Sequence, residues 1–329
     1  TRAAAPMGRY LIRRTLFMLL VLVVISFLTF FVFIKLPPGD PARRLAGKAG
    51  TPEVIEEIRD RLGLNDGFWT QYGRFAKGLV PIPGWWLNEQ VYYNYANNVP
   101  VKTELIERAP ISIVLTTGAV ILWLLIGIPI GIMSAVKRRS LADRSGMIFA
   151  LIGVSLPTFW LGMVLIYIFY YKLGWAPPTG LDIGASLSAS VMEGKFVLAW
   201  ITLAVTSAAF YARMVRGNML EVLSEDYIRT ARAKGLAERR VVYKHGLRAA
   251  LTPVVTMLGL DIAFLLGGAV IVEQVFLLNG LGLYALQSLS ATNFPAVMAV
   301  TIVGAIFIVI ANLVVDVIYA WLDPRVRYS

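Results

Sequence analysis

The chain has 329 residues, 57% of them hydrophobic and only 16% charged. Soluble domains average about 25% charged residues, so this composition excludes an ordinary water-soluble globule and points to a membrane protein. The net charge is +11, with one histidine and no cysteine; no disulfide staples the chain and no metal site is expected.

The first charge-free run, residues 15–34, follows Arg9, Arg13 and Arg14. It is too long for the apolar region of a signal peptide and no small-residue cleavage site follows it, so a retained span is expected. Residues 36–108 then form an outer region with structure of its own. Thr51 is a helix N-cap, Pro52 takes the first helical position, acids fill the first turn and Gly63 lies beyond the end. Further on, Pro81, Pro83 and Gly84 break structure ahead of an aromatic group, Trp85, Trp86, Tyr92, Tyr93 and Tyr95. That group suits either an interfacial aromatic belt or a docking surface for an extracytoplasmic partner.

Further apolar runs occupy 109–136, 145–171 and 196–212. A hydrocarbon core of about 30 Å needs roughly 20 apolar residues; only the last is short, and its apolar flanks and snorkelling basic residues extend it. A fifth span covers 249–272, interrupted by Asp261, and a sixth covers about 296–320, with Asn312 and Asp316 near its end. The expectation is an all-α integral membrane fold with six transmembrane helices, kinked at Pro129 and Pro157. With the N-terminus inside, inner segments carry 19 basic residues and outer ones 12, ten of the latter in the long 36–108 region and its edge. Both termini are therefore placed in the cytoplasm. The positive charge reports topology, not a nucleic-acid surface.

No HExxH, GxSxG or GxxxxGK[ST] pattern is present, so no catalytic group or nucleotide site is expected in the chain. The polar, basic stretch between the fourth and fifth spans carries the strongest signal. Glu225 and Asp226 open a helix where its dipole favours acids, and Gly235 closes it. Thr230, Ala231 and Ala233 are small, allowing a foreign surface close to the backbone, with Arg229, Arg232 and Lys234 around them. A second helical stretch, 238–250, leads into the fifth span. Composition alone also fits a positive-inside loop resting on anionic lipid.

The order of residues adds to this. Tyr227-Ile-Arg-Thr-Ala-Arg-Ala-Lys-Gly235, then His245-Gly-Leu-Arg-Ala-Ala-Leu-Thr-Pro253, resembles the EAA loop of ABC importer permeases, in the version found in dipeptide/oligopeptide permeases. The likeness runs through Leu-Pro-Pro-Gly-Asp-Pro (36–41), Leu-Gly-Leu-Asn (62–65), Ser-Leu-Pro-Thr-Phe (155–159), Gly-Gly-Ala-Val-Ile-Val-Glu-Gln-Val-Phe (267–276), Gly280-Leu-Gly and the terminal 312–327. It implies a type I importer permease fold with an extra N-terminal helix and a cytoplasmic coupling helix. The divisions are a tail and first helix (1–35), an outer region (36–108), a core transmembrane domain (109–321) with a coupling loop (213–252), and a tail (322–329). It implies a second, homologous permease, two cytoplasmic ATPases that hold ATP and Mg, an extracytoplasmic substrate-binding protein, surrounding lipid, and no cofactor on this chain. The ATPase-coupling residues it marks are Glu225, Asp226, Tyr227, Arg229, Thr230, Ala231, Lys234, Gly235, His245, Leu247 and Arg248. Where the general pattern has Glu-Ala-Ala this chain has Arg229-Thr230-Ala231, so Glu225 or Asp226 would supply the acid. The stretch from Gly84 to Tyr95 also departs from relatives. Peptides are the expected cargo, with nickel chelates or oligosaccharides as alternatives; a stand-alone secondary carrier or channel is the competing class.

Along the pathway the expected residues are Asp261, Pro157 and Glu273. At about 1.5 Å per residue Asp261 falls roughly mid-bilayer, where an ionisable group faces a cavity or a partner. Either a helix-to-helix hydrogen bond or a substrate amino group would satisfy it. For Asp316 a tie to Arg325 or to a neighbouring helix is expected.

Overall fold

The computed structural model describes residues 7–36, 38–46, 50–80, 82, 84–89, 91–94, 99–181, 186–266 and 269–322. Pro81, Pro83, Tyr95, Gly267, Gly268, Arg325 and the tail from residue 323 lie outside the described residues.

α1 (Met7–Phe30) runs on through a π-helical turn, Phe31–Lys35. The short helices α2 (Pro41–Ala46), α3 (Pro52–Leu62) and α4 (Phe68–Lys77) follow, then an antiparallel pair of two-residue strands, β1 (Tyr93–Asn94) and β2 (Val99–Pro100). α3 has the ends its sequence demands: the Thr51 hydroxyl accepts from the Val54 N–H at 3.4 Å, and Gly63 closes the helix at φ 62°. Phe75 and Tyr92 bury against Phe30, and the Tyr92 hydroxyl donates to the Phe75 carbonyl at 2.9 Å. The aromatic group therefore divides. Tyr92 is core, whereas Trp85 and Trp86 stay half-exposed under Lys77 and Lys102, whose ammonium groups sit 4.5 and 5.3 Å from the ring centroids.

α5 (Val101–Val136) passes unbroken through Pro110 and Pro129, so the residue expected to kink the second span lies inside one continuous helix. The third span is broken. α6 (Leu141–Ser155) ends at Leu156, which is extended, and α7 (Thr158–Leu165), continued by the π-helical run Ile166–Lys172, leaves at 102°. Pro157 causes this by lacking an N–H and by disfavouring the α conformation in the residue before it. α8 (Leu187–Met192) is a short helix before α9 (Val197–Leu223), which continues about three turns beyond the expected 212.

The polar stretch folds as α10 (Asp226–Ala233), α11 (Glu238–Arg240), a π-helical turn Val241–Gly246 and α12 (Leu247–Ala250). α13 (Thr252–Leu266) follows a 49° bend at Leu251. The connection after it folds as α14 (Val270–Val275) and α15 (Leu281–Ser290), and α16 (Phe294–Leu322) is the last span. Among the described residues four helices are long and apolar enough to cross a bilayer singly, and six spans result when each bent pair counts as one.

The spans pack through small residues. α9 buries Ala204, Ala208 and Ala212 at four-residue spacing against α5. A Cβ on Gly127 would lie 2.9 Å from the Ala208 carbonyl oxygen, and one on Gly131 2.7 Å from that of Ala212. Small residues let helix backbones meet closely where lipid offers no hydrophobic drive for association. Asp316 pairs with Arg14 of α1 at 2.5 Å, so a neighbouring helix supplies the expected tie. At the same end of the bundle the short 137–146 loop does more than carry charge. Asp143, capped by the Arg139 N–H at 2.9 Å, takes a bidentate grip from Arg216 of α9 at 2.7 and 3.0 Å.

Candidate coupling helix and transmembrane cleft

α10 is eight residues long, too short to be stable alone. It is held by one face: Ile228 and Ala231 bury against Val241, with Leu223 and Leu236 packed alongside. Leu223 ends α9 and Val241 begins the run into α13, so α10 bridges two spans. Gly235 takes φ 75° at the helix end, and its N–H reaches the Arg232 carbonyl at 2.9 Å. Arg232 also forks onto Glu238 at 2.7 and 3.1 Å, fastening α10 to α11.

The outward face holds Glu225, Asp226, Tyr227, Arg229, Thr230, Lys234 and Gly235, all exposed. The Asp226–Arg229 pair at 3.3 Å is open to water and adds little stability. Partial burial, then the Glu225 charge, pushes the Tyr227 phenol up, so it stays neutral at physiological pH. Ala231 corrects the sequence reading. It is buried beneath α10 and presents nothing to a partner; Thr230 and Ala233 supply the small exposed positions. Leu247 likewise packs onto the main core rather than outward, while Arg248 is exposed and His245 half-buried on the preceding turn. Seven of the eleven residues thus form an outward patch on α10, His245, Leu247 and Arg248 form a separate group on the run that follows, and Ala231 lies beneath the helix. Ile228 offers no chemistry of its own, and its spacing with Ala231 and Leu236 is the sign in the sequence of this buried face.

Deeper in the bundle an open cleft of about 440 Å³ lies among α5, α7, α9 and α13. Trp123, Thr158, Thr206, Ser207, Tyr211 and Asp261 line it. Tyr211, itself fully buried, donates its hydroxyl to Asp261 Oδ2 at 2.6 Å. The helix-to-helix bond expected for Asp261 is therefore present, and the same carboxylate also lines a cavity. Pro157 is exposed at the α6–α7 break, beside Thr158 of the cleft wall.

Glu273 is a second correction. It is fully buried in α14 and accepts from Ser112 Oγ at 2.8 Å and the Leu283 N–H at 2.7 Å. Ser112 Oγ in turn accepts from the Leu281 N–H at 2.8 Å. A carboxylate saturated in this way pins the 276–283 turn to α5 and lines no pathway.

A family described as the binding-protein-dependent transport system inner membrane component matches residues 127–328, and its N-terminal companion matches 7–116. The chain belongs to this family. The permease is 36% identical over 338 residues to the dipeptide transport system permease protein DppB of Alkalihalophilus pseudofirmus, covering 97% of this chain and 99% of that one. To the glutathione transport system permease protein GsiC of Escherichia coli K12 it is 38% identical over 323 residues, covering 98% and 100%. A solved structure titled as an inward-facing conformation of the MetNI methionine ABC transporter matches with TM-score 0.54 and 22% identity, covering 68% of this chain and 98% of that one. That likeness establishes the fold of the permease. Membership makes it a multi-pass membrane component of an ABC importer that works with ATPase, binding-protein and second permease subunits.

Proposed function

We propose that this permease forms half of the translocation path of an ATP-driven importer of di- or oligopeptides. A homologous but non-identical permease supplies the other half, two cytoplasmic ATPases holding ATP and Mg supply energy, and an extracytoplasmic binding protein delivers cargo. Relatives named for dipeptide and glutathione transport, matched over nearly the whole chain, support the cargo class. Both termini and α10 face the cytoplasm in this reading, because the basic residues crowd that end.

One observation carries the mechanism: α10 is charged and exposed outward yet bonded inward to the ends of two spans. ATPase closure that shifts α10 must carry α9 and α13 with it. A cavity of about 410 Å³ between the end of α5 and the α11 run, lined by Met133, Lys137, Glu238 and Tyr243, leaves space for that displacement. Coupling of this kind requires a two-state element biased by a distant ligand, and the α9–α10–α13 unit is the element proposed.

Gly235 provides the test. A Cβ there meets no atom within 4 Å, and φ is 75°, a conformation that Asn tolerates and Arg does not favour. In proteoliposomes with all subunits, Gly235→Asn retains most ATP-dependent peptide uptake. Gly235→Arg, crowding the docked ATPase, loses uptake and cargo-stimulated ATP hydrolysis while inserting normally. Unchanged uptake by Gly235→Arg, or uptake by this chain without any ATPase, refutes the proposal.

A further inference from the structure

The cleft at Asp261 contains one charge and, among its described lining residues, no basic group. A carboxylate away from bulk water is costly unless a donor or cation meets it. Tyr211 supplies one neutral hydrogen bond, to Oδ2. The carboxylate itself is only partly buried, so its remaining capacity faces the cavity. In the same lining stand two hydroxyls, Thr206 and Ser207, and the exposed ring of Phe264, one turn along α13; Trp123 is buried behind them, tilted against Tyr211 with ring centroids 5.8 Å apart. The apolar remainder, including Met257, makes no sequence-specific hydrogen bonds.

We infer that this cleft is a cation subsite that receives the α-ammonium group of a peptide, with Asp261 as the counter-charge and Tyr211 as its positioning residue. The inference rests on the peptide-importer reading and deepens it. An ammonium donates three hydrogen bonds and no more, which suits one carboxylate and two hydroxyls. The exposed ring of Phe264 adds a cation–π contact without fixing the side chains that follow. Such a site reads the charge every peptide has in common and ignores what differs between peptides. The inner path of a permease can then stay broad in cargo while the charge of the amino terminus is still checked.

Because the chain has no cysteine, single thiols can be placed beside Asp261 on a clean background. Met257→Cys is the first choice and Leu265→Cys the second, should the first fail to assemble; both line the cleft one turn from Asp261 and neither supplies a polar group to the site. The complete transporter in vesicles, lacking the binding protein, is treated with a cationic methanethiosulfonate and with its anionic counterpart, and labelling of this chain is followed on gels. The expected result is that dialanine slows labelling by the cationic reagent at least about tenfold at saturation, equivalent to ~1.4 kcal/mol, while N-acetyl-dialanine slows it less than about twofold. With Asp261→Asn added, the two peptides become equal. Equal protection by both peptides with Asp261 intact overturns the inference, as does no protection by either. So does a difference that survives Asp261→Asn, which would place the ammonium elsewhere. Uptake of dialanine with the binding protein restored is measured on the same vesicles. Uptake without protection defeats the subsite alone, whereas absence of ATP-dependent uptake of any peptide defeats the importer reading.

Discussion

Removing the anchor of α10 separates the motor from the gate. Ile228 is fully buried, and its cluster includes only Ala231, Val241, Leu223 and Leu236. Truncating a buried isoleucine to alanine costs about 2–5 kcal/mol from lost burial and the cavity left behind. The eight-residue α10 cannot recover this internally, since helices shorter than about 12 residues are marginal in water. A loss of ~3 kcal/mol shifts the equilibrium between seated and released α10 by roughly 150-fold. Ile228→Ala is therefore expected to leave ATPase association and basal hydrolysis in place while raising the ATP hydrolysed per peptide imported, by about threefold or more. Ile228→Val, at about 0.5–1.5 kcal/mol, shifts the ratio little. The assay is paired measurement of phosphate release and peptide accumulation in proteoliposomes holding all subunits, with hydrogen exchange of residues 226–233 as the check that α10 has loosened. Loss of exchange protection with an unchanged ratio would refute the lever, because the helix would then be dispensable for transmission.

Gly280→Ala is expected to destabilise the detergent-solubilised chain by about 3 kcal/mol in thermal unfolding, combining overpacking with a lost charge-assisted hydrogen bond. Its Cβ would lie 2.4 Å from Glu273 Oε1 and 2.5 Å from Ser112 Oγ, atoms already bonded to each other. Ser112→Ala should relieve part of this, so that the double variant loses less than the sum of the singles. Arg216→Ala leaves Asp143 without its fork, and with the side chains only 25% and 7% exposed the expected cost is about 2–4 kcal/mol. Unfolding that is indistinguishable from the parent would show the pair to be incidental. In the 36–108 region, burial pulls the Asp40 carboxyl up, but hydrogen bonds from Arg59 and the Ala42 N–H outweigh it and hold it below its ordinary value. Asp40 therefore binds protons more weakly when folded, and its stabilisation is present at neutral pH and lost as pH falls through its lowered pKa. Hydrogen-exchange protection of α2 and α3, corrected for intrinsic rates, should decline between roughly pH 5 and pH 3, and Asp40→Asn should flatten that decline.

The spans, α3 with its caps and the limits of α10 were determined by the sequence itself. In lipid a segment must satisfy its own backbone hydrogen bonds, so apolar length alone locates a helix. Caps and glycine ends are equally local: Thr51, Gly63 and Gly235 act within one turn of where they stand. The α6–α7 break was also written locally, in Pro157, though its 102° angle was not. Proline identity sets where a donor is missing, while the packing of the freed halves sets the direction.

Tertiary structure decided which side chains meet. Asp261 finds Tyr211 across 50 positions and Asp143 finds Arg216 across 73. Glu273 meets Ser112 across 161, which turns an expected pathway acid into a structural hub. The physical reason is that a span apolar all round carries no stripe to show which face turns inward. Its rotation about its own axis is set by close contacts such as Gly127 on Ala208 and Gly131 on Ala212, and those exist only once two helices have come together. For the same reason Ala231 and Ala233, two residues apart on one short helix, came to opposite ends: one sealed beneath α10, the other open to a partner.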